Sequence, residues 1–254
     1  MLVDIGNTRV KWARLIDGRI GRQHAVEHAG WSREDFALTL FGKPGARGFE
    51  RVVAVSVAGP RVDRAFTAAT RARTGLPPEF FVSRRRAAGV ITQYSEPWRL
   101  GADRLAGAIG GRRLARGRAV CVIGVGTALT LDLVDARGRH RGGAIVPAPA
   151  LMKDSLLTKT SGIRRRAQGG SVTGSLFARN TRAAIEQGSR YAAAAFIDRG
   201  IDEARRLLGR TPLVLLTGGG APNLRPLIRG RHRFISDLVL QGLAVIAVES
   251  ATES

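Results

Sequence analysis

An apolar run, Leu2-Val3-Asp4-Ile5, passes through a small turn, Gly6-Asn7-Thr8, into the alternating stretch Arg9-Val10-Lys11-Trp12. Alternation on both sides of a Gly/Asn turn predicts a β-hairpin, with Asp17-Gly18 marking a second turn beyond it. The same order of apolar and polar positions returns at Val122-Ile123-Gly124-Val125, Gly126-Thr127-Ala128 and Leu129-Thr130-Leu131-Asp132, followed by Arg137-Gly138. A hairpin that occurs twice predicts two related α/β lobes facing one another. Only the first copy carries an acid in its opening strand, because Gly124 stands where Asp4 does. The 254 residues, 44% hydrophobic, can bury a core as one large domain or as two of about 120 residues. The repeat favours two, divided as 1–106 and 107–254.

Between the copies, Arg51 to Val57 is a β-branched run ended by Gly59-Pro60, and Val62 to Arg73 is helical, together predicting a strand and a helix packed on its sheet. Glu79 to Val82 predicts a short strand, and Gly42 to Gly48 a loop. In Tyr94-Ser95-Glu96-Pro97-Trp98-Arg99-Leu100-Gly101-Ala102-Asp103-Arg104 the proline disfavours helix before it, while Leu105, Ala108 and Ile109 share a helical face after Gly101. Asp103 therefore falls in or near the first turn of a helix. Ala106, Gly107, Gly110 and Gly111 give that helix a small-residue surface on which another element can pack closely. Past the second hairpin, Arg141 to Pro147 holds two glycines, and a helix is predicted from Ala148 to about Leu157. Ser161 to Gly174, rich in glycine and arginine and without periodicity, predicts a mobile loop. Asn180-Thr181 offers a helix start, and Ile185, Ile197, Ile201, Ala204 and Leu208 mark one or two helices ending at Gly209. Leu213 to Thr217 predicts a strand entering the Gly218-Gly219-Gly220 turn, and Leu238 begins a closing helix.

Composition narrows the function classes. The formal charge is +21 with a pI near 11.7. Lysine occurs only at positions 11, 43, 153 and 159, so the charge is nearly all arginine. A nucleic-acid surface gathers such charge in a stripe with stacking aromatics; here the clusters are scattered along the chain and aromatics make up 6%. Solvated arginines that attract anionic substrates are the expectation, without a nucleic-acid partner. The single cysteine, Cys121, lies in an apolar run and predicts a small buried hydrophobe. His24 and His28 lack the spacing and further ligands of a zinc site and predict a solvated stretch. With no signal-peptide pattern before Val3 and no apolar stretch of roughly 20 residues, a soluble cytoplasmic protein without a membrane partner is expected.

The turns carry the candidate chemistry. Glycines let backbone approach a ligand closely, exposed N–H groups with Asn and Thr side chains donate to phosphate oxygens, and a carboxylate at a strand end can hold a hydrated cation. Two such turns can grip a nucleotide triphosphate from both sides. Asp103, beside free N–H groups and the positive end of a helix dipole, is favoured in its ionised form and can accept a proton from a substrate hydroxyl. The triple glycine can seat an adenine or ribose. Taken singly, these features equally describe ordinary hairpins, a helix cap and a strand-to-helix turn.

In order, the pieces resemble the type III pantothenate kinase family, within the superfamily of acetate and sugar kinases, heat-shock chaperone ATPases and actin. The resemblance runs from Asp4 to Leu243 through Asp4-x-Gly6-Asn7-Thr8, Tyr94-x-x-Pro97-x-x-x-Gly101-Ala102-Asp103-Arg104, Gly126-Thr127-Ala128-x-Thr130-x-Asp132, Gly142-Gly143-x-Ile145-x-Pro147, Asn180-Thr181, Thr217-Gly218-Gly219 and Leu238-Val239-Leu240-x-Gly242-Leu243. It implies two ribonuclease H-like lobes in an actin-like ATPase fold, and ATP-dependent phosphorylation of pantothenate, the first step toward coenzyme A. It further implies Asp103 as the base, and Tyr94, Gly101, Ala102 and Arg104 lining the pantothenate pocket. Thr181 would reach pantothenate from the partner subunit of a homodimer. Asp4, Ile5, Gly6, Asn7, Thr8, Arg9, Val10 and Lys11, with Gly126 and Thr127, would bind ATP, Asp4 lying near Mg²⁺ through water. Three departures stand out. The family's aspartate for a monovalent cation, K⁺ or NH₄⁺, is replaced by Gly124; Glu96 replaces an asparagine; and Gly220 follows Thr217-Gly218-Gly219 where an acid is usual. The second reading is a regulatory accessory factor that keeps the kinase fold with weak or no activity, possible nucleic-acid association included; the retained Gly101-Ala102-Asp103-Arg104 run and Thr181 argue against it. A third, a relative acting on another substrate, is opposed by Tyr94 to Arg104.

Overall fold

A computed structural model of the chain describes residues 1–42, 48–172 and 174–252. The interior of the loop expected from Gly42 to Gly48 lies outside the described residues. The chain divides into two compact units, one formed by 1–117, 137–141 and 237–254, the other by 118–136 and 142–236. The division expected at 106/107 falls inside a helix that belongs whole to the first unit.

The first unit holds β1 (Leu2–Ile5), β2 (Arg9–Ala13), β3 (Leu15–Ile16), β4 (Arg19–Ile20), β5 (His24–Glu27), α1 (Arg33–Phe41), β6 (Val53–Ser56), α2 (Pro60–Thr74), β7 (Glu79–Phe80), β8 (Arg86–Ala87), β9 (Val90–Thr92) and α3 (Ala102–Ala115). Its main sheet has the order β5-β2-β1-β6-β7, with β1 antiparallel to β2 and parallel to β6. All four residues of β1 are buried, as expected of a central strand covered on both faces. Alternation sends Val3 and Ile5 toward a cluster with Phe36, Leu40 and Phe66 of α1 and α2. Leu2 points the other way, into a cluster with Leu105 and Ile109 of α3 and Leu240 and Leu243 of the closing helix. Asp4 shares the side of Leu2, which aims its carboxylate at the α3 face.

The second unit holds β10 (Val120–Val125), β11 (Ala128–Val134), most of β12 (Arg139–Pro147), α4 (Pro149–Lys159), α5 (Ser161–Arg166), α6 (Thr181–Leu208), β13 (Leu213–Thr217), α7 (Ala221–Leu224) and β14 (Arg233–Phe234). Strands β14, β13 and β10 run parallel, and β11 is antiparallel to β10. Ala193, Ala194, Ile197, Ile201 and Ala204 of α6 pack on Ile123, Leu129 and Leu216. The closing helix, α8 (Leu238–Thr252), returns to the first unit.

One expectation changes here. Ser161 to Arg166 is helix, where a loop was predicted: apart from Gly162, Ile163-Arg164-Arg165-Arg166 has adequate helix propensity, and polar composition hid it. Of the one or two helices expected between Asn180 and Gly209, the structure has one of 28 residues, opened as expected by Asn180 Oδ1 accepting from Ala183 N at 2.9 Å and closed by left-handed Gly209.

Candidate functional site

In the first unit, the expected residues converge at the C-terminal end of β1 and the N-terminus of α3. Asp4 pairs across the strands with Lys11, whose Nζ lies 3.5 Å from Oδ2. Burial raises the Asp4 pKa above the usual carboxylate range; Lys11 opposes the shift and the charge of Asp103 adds to it. That coupling identifies Asp103 as an electrostatic neighbour of Asp4. Asp103 sits in the first turn of α3, half-buried, with Oδ1 accepting from Arg104 N at 2.8 Å. A Cβ on Gly101 would meet that Oδ1 at 2.7 Å, so glycine there leaves the carboxylate room. The guanidinium of Arg104 donates to the Tyr94 hydroxyl at 3.3 Å. Tyr94, Gly101, Ala102, Asp103 and Arg104 thus form one half-buried wall beside Asp4.

The adjoining turn is built for exposed backbone. Gly6 N donates to Arg9 O at 3.0 Å, and Asn7, Thr8 and Arg9 are exposed. His28 anchors both sides of it: its Nε2–H donates to Gly6 O at 2.6 Å, and its own N–H to Thr8 O at 3.2 Å. His28 is buried, against Trp31 and Phe36, which corrects the solvated stretch expected for both histidines; only His24 is exposed, stacked on Trp12. The missed signal was the aromatic spacing of Trp31 and Phe36 beside it. His28→Ala should cost about 2–4 kcal/mol, from the lost ring and the unpaired Gly6 carbonyl. Urea unfolding checks the cost, and hydrogen exchange should quicken at Gly6 to Arg9.

In the second unit, β10 and β11 pair up to Val125 with Leu129, against Ile5 with Val10 in the first. The Gly126-Thr127-Ala128 turn is therefore one residue shorter, closed by Gly126 N donating to Ala128 O at 2.9 Å. Gly218 lies against the Val125 carbonyl with φ +101°, where a side chain would clash with backbone, and Gly220 N donates to Val125 O at 3.1 Å. The triple glycine thus allows backbone to lie directly on the strand end. Gly124 faces Thr130 across the strands, and a Cβ on it would meet Thr130 Oγ1 at 2.7 Å. Thr181 is the first residue of α6, half-buried. Cys121 is buried, and burial pushes its thiol up to about 12, the inert apolar role expected.

The sequence profile of the type III pantothenate kinases matches residues 1–203. The chain belongs to that family. The type III pantothenate kinase of Nitrosococcus oceani is 38% identical over 256 residues, covering 99% of this chain and 94% of that protein. The one from Aromatoleum aromaticum is 37% identical, covering 99% and 98%. Among solved structures, a Baf family protein of Campylobacter jejuni superposes with a TM-score of 0.60 at 17% identity, covering 99% and 98% of the two chains. Component A of the (R)-2-hydroxyglutaryl-CoA dehydratase of Acidaminococcus fermentans does so with 0.55 at 13%, covering 99% and 96%. These structures bear on the fold alone, and the fold is the expected actin-like α/β fold.

Two further features bear on this family member. Some of the arginines that look scattered in sequence come together in space: Arg118, Arg210, Arg231 and Arg233 line a 540 Å³ cleft of the second unit where β10, β13 and β14 begin. All four are exposed and the cleft holds none of the expected substrate residues. Among the described residues, no helix is long and apolar enough to cross a membrane.

Proposed function

We propose that this chain transfers the γ-phosphoryl group of ATP to the primary hydroxyl of pantothenate, giving 4'-phosphopantothenate and ADP, the first step of coenzyme A biosynthesis. The observation that carries this reading is the family match over residues 1–203 together with Asp103 beside buried Asp4. Phosphoryl transfer asks a protein mainly to align the attacking oxygen and neutralise phosphate charge. Asp103 orients the hydroxyl and takes its proton as the new O–P bond forms and the bond to the ADP oxygen breaks. Arg104, tied to Asp103 through its backbone N–H and to Tyr94 through its guanidinium, places positive charge by an anionic substrate. Tyr94, Gly101 and Ala102 complete that wall. The exposed turn from Gly6 to Arg9, with Asp4, Ile5, Val10 and Lys11 around it, is suited to phosphate oxygens, as is the Gly126-Thr127 turn.

Asp4 fits a role beside Mg²⁺. It is one buried carboxylate whose pKa is raised by burial, so a neighbouring divalent charge would stabilise its ionised form. No group of three or more His, Cys, Asp or Glu with metal-holding geometry occurs among the described residues. Such a site suits an ion that keeps waters and takes most of its ligands from the nucleotide. When bound, Mg²⁺ neutralises charge on the β- and γ-phosphates.

The protein acts in the cytoplasm as a homodimer, with Thr181 of one protomer touching pantothenate held by its partner. Exposed apolar side chains near the start of α6, Leu176 and Phe177, support a covered surface there.

Gly124 leaves no carboxylate for a monovalent cation, and Thr130 Oγ1 crowds the space a side chain would need. Purified protein should therefore phosphorylate pantothenate at similar rates in sodium and potassium at equal ionic strength. No product in either salt would overturn the function; steep, saturable activation by potassium would overturn the reading of Gly124.

A further inference from the structure

Arg85 belongs to none of the substrate or nucleotide contacts above, yet its side chain is spent on one segment that does. Nη1 donates to Thr92 O at 2.9 Å and to Tyr94 O at 2.6 Å, and Nη2 to Ser95 O at 2.9 Å. The local fold explains the convergence. Strands β8 and β9 form a hairpin through Ala88 and Gly89, both with positive φ. Its register brings Arg85 opposite Thr92, whose N–H donates to Arg85 O at 3.1 Å. Beyond Thr92 the chain leaves strand geometry, so the carbonyls of Tyr94 and Ser95 need another donor. The planar guanidinium supplies several donors in a fixed fork; a lysine ammonium, a point charge on a flexible stem, cannot reproduce that spread.

We propose that Arg85 is a positioning residue for pantothenate. It holds the backbone from Thr92 to Ser95, thereby the Tyr94 ring, and through the Tyr94 hydroxyl the guanidinium of Arg104. Arg104 in turn binds Asp103 Oδ1 through its backbone N–H. This rests on the assignment of Tyr94 and Arg104 to the pantothenate pocket. Arg85 sets how well the wall is formed before substrate arrives, so its loss weakens binding of that one substrate more than it slows the chemical step.

Steady-state kinetics on Arg85→Gln, Arg85→Lys, Tyr94→Ala and the double variant Arg85→Gln/Tyr94→Ala test this, with melting temperatures taken alongside. Arg85→Gln should raise KM for pantothenate about tenfold, with kcat and KM for ATP close to wild type. Arg85→Lys should recover only part of the loss and serves if the glutamine variant folds poorly. The double variant should be no worse than Tyr94→Ala alone, because both act through one wall. An unchanged KM in Arg85→Gln and Arg85→Lys while Tyr94→Ala raises it overturns the brace and leaves the pocket standing. A raised KM in Arg85→Gln with none in Tyr94→Ala overturns the route through Tyr94 and the placement of that residue in the pocket. Equal losses in kcat, both KM values and melting temperature would reduce Arg85 to a structural residue and overturn the proposal.

Discussion

Asp103→Asn should cut turnover by roughly two to four decades while leaving ATP affinity nearly intact. The substitution is nearly isosteric, and the asparagine oxygen can still accept from Arg104 N, the contact Asp103 Oδ1 makes at 2.8 Å. The start of α3 and the room left by Gly101 are therefore preserved, and what is lost is the group that takes the hydroxyl proton. The electrostatics point the same way. The Asp103 charge helps raise the Asp4 pKa, so neutralising it lowers that pKa and favours ionised Asp4, the form that supports a cation beside the phosphates. Single-turnover kinetics for the chemical step, with calorimetry for ATP, separate the two effects. Turnover like that of wild type would remove Asp103 from the role of base.

Gly242→Ala should lower stability by about 3 kcal/mol or more. Helices α3 and α8 touch through their backbones: a Cβ on Gly242 would fall on the Ala106 carbonyl, 2.6 Å from its carbon and 3.1 Å from its Cα. A Cβ on Gly110 would meet Gly242 N at 2.9 Å. Neither obstacle is the tip of a side chain that could rotate away, so the helices must separate along a contact that also buries Leu105, Ile109, Leu240 and Leu243. Gly188→Ala is the matched control. It lies within α6 with nothing within 4 Å of the added methyl, and alanine there should be neutral or stabilising by about 0.5–1 kcal/mol. Urea midpoints of both variants check the contrast; equal midpoints would show that α3 and α8 tolerate separation. Because α3 presents Asp103 in its first turn, the Gly242 variant should also lose activity below its melting range.

Local pattern made most elements legible. Alternation marked both hairpins, the Asn180 cap marked the start of α6, and the run after Gly101 placed Asp103 in the first helical turn, since each signal is confined to a few neighbouring residues. The small residues of α3 correctly announced a close neighbour, although nothing local could say that Gly242 of α8, far along the chain, would be that neighbour. His28 was misread because its burial depends on Trp31 and Phe36 closing over it, and its tie to Gly6 spans 22 positions. Arg85 lay hidden in a charge run for the same kind of reason: its three acceptors are fixed by a hairpin register, and composition does not record register.

The duplicated hairpin, the Asp103 helix start, the buried cysteine and the substitution at Gly124 were determined by the sequence itself, because residue identity and short-range spacing suffice for each. Only the tertiary structure decided that Asp4 and Asp103 are electrostatic neighbours, that His28 clamps the first turn, that Thr130 fills the space beside Gly124, and that Arg85 holds Tyr94. Each of these depends on which distant segments share a sheet face, a register or a helix contact, and those are settled by burial and backbone pairing over the whole unit.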